Sequence, residues 1–224
     1  MDEETGYRKL VVRGTDEFGS PFHEILSLNV VGGKFLEERL RVAPSMAQPP
    51  DDVRERIRRE AALLRQVLST RTPSSISGAF LRPVPGRVTS PFGTFRTFNG
   101  NVRGRHRGID FRGARGTPIK SSNSGTVALT ADLYFAGRTV VVDHGLGIYT
   151  LYAHLDDFCV KEGDMVNRGD LLGFVGATGR VTGPHLHWEV RIDGRHHSPL
   201  DLLALPLVPP VAYEHEMAAS SRMP

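Results

Sequence analysis

From Phe80 to about Leu203 the chain is cut into short apolar runs by turns that contain glycine. RVTSPF, GIDF, GTVALT, GRTVVVDHG, YTLYAHL, LLGFVG and HLHWEVRI follow one another with little between them. Runs this short, with turns about every 8–12 residues, specify a mainly β domain, an antiparallel barrel or sandwich. The last run says most. In a strand, residues two apart share a side. Leu186, Trp188, Val190 and Ile192 then form one apolar face, and His185, His187, Glu189 and Arg191 one polar face. The apolar face needs a core beneath it. The polar face holds two imidazoles side by side.

Upstream the texture changes. YRKLVV (7–12) and HEILSLNVV (23–31) read as strands of a hairpin, joined by the turn-rich RGTDEFGSPF. An isolated hairpin is marginal in water, so this is a small N-terminal β fragment, or a sheet packed on the rest. KFLEERLRV (34–42) continues the extended reading, and APSMAQPP (43–50) is a Pro-rich linker. A helix is expected from about Asp51 to about Leu68. Val53, Ile57, Ala61, Leu64 and Leu68 give it an apolar stripe. Asp51 or Asp52 is its expected cap, and its arginines form a solvated outer face. TRTPSSISG (70–78) is a second connector. The expected division is a partial β region at 1–45, linker and helix at 46–79, the main β domain at 80–205, and a loosely ordered tail at 206–224.

The net charge of +3 suits an anionic partner such as a cell-wall polymer. It is too small to argue for nucleic acid, and no basic stripe is interleaved with aromatics. Cys159, the single cysteine, can neither pair within the chain nor build a Cys-rich zinc site. It is expected as a partly buried structural thiol. No apolar run approaches the ~18 residues of a membrane span. MDEETGYRKL is too polar for a signal peptide, which leaves a cytoplasmic protein or an export signal upstream.

Five of the nine histidines (His23, His144, His196, His197 and His215) read as surface or turn residues. The other four stand in better company. His106 opens HRGID, an H-x-x-x-D spacing that puts His106 and Asp110 on one side of an extended segment, with Gly108 leaving space between them. His154 ends YTLYAHL, on the more polar face with Thr150 and Tyr152. A catalytic zinc site has three protein ligands and one open position. His106, Asp110 and one histidine of the H-x-H pair would make such a set. The other histidine of the pair and His154 would flank the water that the metal activates, an arrangement suited to amide hydrolysis. No H-E-x-x-H helix and no G-x-S-x-G elbow is present. The glycine-rich GFVGATGRVTG (173–183) lacks the G-K-[ST] ending of a phosphate-binding loop and reads as a groove wall.

HRGID, YTLYAHL and TGRVTGPHLHWEV closely resemble the lysostaphin-like (LytM-type) zinc metalloendopeptidases of bacterial cell walls, in that family's order. SPFG, GTPIKSSNSGTV and VKEGDMVNRGDLLGFVGATG agree, and the resemblance covers roughly residues 80–203. It implies zinc as cofactor, with His106, Asp110 and His187 as ligands. His154 and His185 would be the catalytic pair. The implied substrates are peptidoglycan peptides, in the periplasm or the extracellular cell envelope. It also implies that residues 1–45 are the remnant of an immunoglobulin-like domain, and that an export signal and the rest of that domain belong upstream. Some relatives have lost ligands and act only as wall-binding proteins or hydrolase activators. All five site residues are kept here. The run VKEGDMVNRGDLLGFVG also resembles biotinyl and lipoyl carrier turns, but Lys120 and Lys161 stand in the wrong settings for a modified lysine.

Overall fold

The computed structural model describes residues 4–16 and 18–206, apart from the Val102 side chain. The expected tail, with His215, falls outside these residues but for Pro206. The chain opens with a hairpin, β1 (Gly6–Thr15) and β2 (Pro21–Val30), in unbroken antiparallel register. Strand β3 (Glu37–Leu40), the single-turn helix α1 (Pro44–Ala47) and helix α2 (Asp51–Val67) follow. Pro50, not an aspartate, is the N-cap of α2, and no side chain caps it. Asp51 and Asp52 sit one position further in, within the first turn, where they meet the positive end of the helix dipole.

The rest is mainly β. In chain order come β4 (Val88–Ser90), β5 (Phe95–Phe98), β6 (Val102–Arg105), β7 (Ile109–Arg112) and β8 (Pro118–Lys120). Then follow β9 (Gly125–Leu133), β10 (Gly137–Asp143), β11 (Ile148–Phe158) and β12 (Met165–Val166). Strands β13 (Leu171–Val175), β14 (His185–Ile192), β15 (Arg195–His197) and helix α3 (Pro199–Ala204) complete it. Ten strands form one antiparallel sheet in the order β12-β9-β10-β11-β14-β7-β4, with β13 joining β11 to β8 and β15 on β14. Separately, β3 runs parallel to β5, and β6 completes a three-stranded sheet.

The large sheet is buried on both sides where it is widest. Ile109, Phe111, Val140, Val142, Tyr152, Leu155, Leu186 and Trp188 fill the interior. On the opposite side, Leu64, Val67 and Leu68 cover Leu129, Val141, Tyr149 and Leu151. This two-sided cover explains the uninterrupted valines of β10, which would alternate with polar residues if one face met water. Each fully buried large side chain is worth about 1.5–3 kcal/mol of transfer free energy.

Two expectations from sequence are corrected here. Cys159 is exposed, because its neighbours Phe158 and Val160 pack on the core and alternation turns the thiol outward. His144 is fully buried instead of superficial. Its ring bridges the Ser124 carbonyl and the Thr150 hydroxyl, each at 2.7 Å. Burial lowers its pKa to about 4, against smaller opposing effects of the Ser124 carbonyl and Asp143.

Candidate metal centre

Strands β7 and β14 lie side by side, with Phe111 opposite Leu186, Asp110 opposite His187 and Ile109 opposite Trp188. Phe111, Leu186, Ile109 and Trp188 are all completely buried. With those four pinned in the interior, alternation turns Asp110 and His187 together to the other side. His106 reaches them from the segment just before β7. Gly108 in that segment does not leave open space, as its lack of a side chain suggested. A Cβ there would come within 2.3 Å of the Trp188 carbonyl oxygen. Glycine is needed because the backbone of β14 fills the place.

The Asp110 Oδ1 atom lies 3.0 Å from His106 Nε2 and 2.8 Å from His187 Nδ1, and the two nitrogens are 2.9 Å apart. The other ring nitrogens define the tautomers. His106 Nδ1 lies 2.9 Å from the Pro91 carbonyl, which can only accept, so that nitrogen carries the hydrogen. His187 Nε2 lies 3.0 Å from Glu189 Oε1, so that nitrogen donates as well. The remaining lone pairs of His106 Nε2 and His187 Nδ1 therefore face the carboxylate oxygen at close range. Three electron-rich atoms so placed repel one another unless a cation lies among them, either a proton on one ring or a metal ion. His106, Asp110 and His187 thus form a group that could hold a metal, and two nitrogens with one carboxylate suit zinc.

At His187 the surroundings favour positive charge. Burial acts to lower the His187 pKa, but hydrogen bonds to Asp110 and Glu189 outweigh it and push it up to about 9. Burial acts to raise Asp110, yet hydrogen bonds from His106 and His187 hold it well below the usual carboxylate range. His106 is lowered, by burial above all. Glu189, against the effect of burial, is held well below its ordinary value by His187, His196 and Arg191. His196 accordingly lies beside Glu189, at 3.4 Å, and not as a plain loop residue.

His185 and His154 flank the cluster. His185 Nδ1 faces the Gly183 carbonyl at 2.9 Å, and His154 Nδ1 the Thr178 carbonyl at 2.8 Å. Both rings therefore donate from Nδ1 and keep an Nε2 lone pair. His185 Nε2 is 3.7 Å from Asp110 Oδ1, and the two ring centres are 4.8 Å apart. His154 does not end its strand, which runs on to Phe158, nor does it share a face with Tyr152. Tyr152 points into the core, where its hydroxyl meets Ser122 and Thr150. His154 adopts a left-handed backbone, φ 65°, and the register against β10 shifts at the same place. This bulge breaks the alternation and swings His154 from the core side to the side of His185 and His187. Burial first, then the neighbouring imidazoles, lower the His154 pKa to about 3, so the ring stays neutral.

Arg96 is a residue that sequence reasoning missed. Its guanidinium bonds Asp110 Oδ2, donates to Ser90 Oγ at 2.8 Å and pairs with Glu38 at 3.0 Å. It thereby holds the second oxygen of Asp110 away from the cluster and leaves Oδ1 for the cation. Nothing in FRTF marks this arginine, whose carboxylate partners are 14 and 58 residues away in the chain. All five histidine and aspartate residues open into a cleft of about 830 Å³, walled in part by Leu40, Ile57, Ala61 and Leu64 from β3 and α2 and by residues 180–184.

Residues 104–199 match Peptidase family M23. Over 120 residues the chain is 42% identical to the DD-carboxypeptidase/endopeptidase Mpg of Neisseria meningitidis, covering 54% of this chain and 27% of that protein. Over 90 residues it is 47% identical to the peptidoglycan DD-endopeptidase ShyA of Vibrio cholerae, covering 40% of this chain and 21% of that one. The chain thus spans about a quarter of the length of these curated relatives. A crystal structure of a Pseudomonas aeruginosa protein assigned to peptidase M23 superposes with a TM-score of 0.68 at 36% identity, covering 90% of this chain and 75% of that one.

Proposed function

The chain belongs to peptidase family M23, and from that premise we propose that it is a zinc-dependent endopeptidase cutting peptide bonds of bacterial peptidoglycan in the cell envelope. The observation that carries this reading is the convergence of His106 Nε2, Asp110 Oδ1 and His187 Nδ1 within 3.0 Å, with both ring lone pairs turned inward. The relatives named for peptidoglycan and DD-endopeptidase activity supply the substrate class.

In this reading His106, Asp110 and His187 would hold zinc, which would supply a Lewis acid able to activate water at neutral pH. Glu189 fixes the His187 ring by its Nε2 hydrogen, and Pro91 fixes His106 by its Nδ1 hydrogen, so that each presents one nitrogen. His185 and His154 act on the substrate side. With Nδ1 donating to a carbonyl, each turns its Nε2 lone pair toward the cleft, where it can accept a proton from the attacking water. Once protonated, that nitrogen can donate to the developing oxyanion or to the departing amine. Residues 80–205 would form the catalytic unit, with 1–45 and 46–79 as an accessory β piece and linker.

The test is metal content and digestion together. Asp110→Ala is expected to lose zinc by mass spectrometry and to release no peptide fragments from purified peptidoglycan. Full zinc occupancy in Asp110→Ala would remove the ligand assignment.

A further inference from the structure

Across the sheet, His154 on β11, His185 on β14 and Arg112 on β7 lie in one transverse row: the His154 and His185 ring centres are 4.8 Å apart, and His185 faces Arg112 directly. Arg87 closes the row, its carbonyl accepting the Arg112 backbone N–H at 2.9 Å. Arg112 is two residues beyond Asp110 on the same face of β7, and both arginines are exposed and line the cleft. Their state differs from that of Arg96 and Arg191, which also line the cleft. Arg96 is neutralised by Asp110 and Glu38, and Arg191 by Glu189. Neither Arg87 nor Arg112 has an ion pair or side-chain hydrogen bond among the described residues.

We propose that Arg112, assisted by Arg87, is a carboxylate-binding subsite of the cleft, which recognises a free carboxylate on the substrate residue next to the scissile amide. This deepens the proposed hydrolase reading and rests on it for the meaning of "scissile". Adjacent strands are ~4.8 Å apart and an extended residue spans ~3.4 Å. A peptide crossing the strands with its reacting carbonyl over His185 therefore brings its next residue over Arg112. A guanidinium offers a planar fork that matches a carboxylate's two oxygens, and these two have no competing partner. The subsite would favour peptides with a free carboxylate at that residue over those in which it is an amide.

The experiment uses the full zinc-loaded chain and two cross-linked muropeptide dimers. They differ only in a free carboxylate or a carboxamide on the residue that supplies the amine of the scissile bond. Hydrolysis rates give one readout. Fluorescence anisotropy of labelled dimers on His185→Ala, which binds without needing to cut, gives the other. The expected result is a preference for the carboxylate dimer of about 10- to 100-fold in both. Arg112→Gln should reduce that preference to near one by slowing only the carboxylate dimer, and Arg112→Lys should restore part of it. Arg65→Gln, on the outer face of α2, should change nothing. Equal handling of the two dimers by the parent chain, or an equal loss for both in Arg112→Gln, overturns the subsite. If neither dimer is cut but the Arg112-dependent binding preference persists, the hydrolase reading fails and the subsite stands.

Discussion

Hairpin β1–β2 and the pair β7–β14 are both regular antiparallel ladders, yet they are used in opposite ways. In the hairpin, Tyr7, Leu10, Val11, Ile25, Leu26 and Leu28 are exposed at 44–76%. In β7–β14, Ile109, Phe111, Leu186 and Trp188 are not exposed at all. Ladder hydrogen bonds alone do not place chemistry. Where one side of a sheet is locked into a core, register also fixes which side chains stand together on the opposite side. Where neither side is covered, the same alternation fixes a register and little else.

That contrast can be broken by mutation. The largest effect is expected at the site held by the covered face. His185→Ala should keep zinc but lower turnover on peptidoglycan by about 100- to 10,000-fold, the range of one general acid–base group. Turnover near that of the parent chain would take His185 out of the proton-handling pair. Next comes the anchor beneath. Trp188→Ala removes the largest fully buried side chain of β14 and should cost about 3–5 kcal/mol in urea unfolding, loosening His187 as it does so. A cost below about 1 kcal/mol would mean that the face is not locked as described.

His144 tests the covered side through pH. Its folded pKa, about 4, is depressed from 6.5 mainly by burial. Between pH 6.5 and 4 the unfolded chain binds a proton that the folded chain refuses. Stability therefore falls as the pH drops through that window, by up to about 3 kcal/mol, and this contribution levels off below pH 4. His144→Gln should flatten the dependence of the urea midpoint between pH 7 and 4.5. An unchanged slope would contradict a buried neutral ring. The smallest effect belongs to the hairpin. Leu26→Ala should shift the stability of the main domain by less than about 0.5 kcal/mol, because its side chain is uncovered. A shift like that of Trp188→Ala would erase the contrast.

Much of this was legible in the sequence, for a physical reason. Strand β14 could be read from its alternation because one face is buried and the other is not. HRGID could be read because the ligand spacing and the apolar anchors coincide. Family resemblance, more than periodicity, distinguished His187 from His185. The structure adds that His187 Nδ1 lies 2.8 Å from Asp110 and His185 Nε2 3.7 Å. What could not be read depends on contacts distant in the chain. The His154 bulge comes from the pairing of β11 with β10, and parity alone put this histidine with Tyr152. Gly108 looked like open space until the backbone of β14 was set against it. Arg96 acts through partners that no local pattern connects. His144 and Cys159 exchanged places between surface and interior because a turn and a strand end were judged by type instead of by what packs over them.

The proposed zinc ion, held by His106, Asp110 and His187, would drive peptide hydrolysis in peptidoglycan. Mass analysis of purified peptidoglycan digested by the zinc-loaded chain, with and without a chelator, tests it most directly. Peptide fragments should vanish with the chelator and return when zinc is restored. Undigested peptidoglycan in the presence of zinc, or fragments indifferent to the chelator, would contradict it.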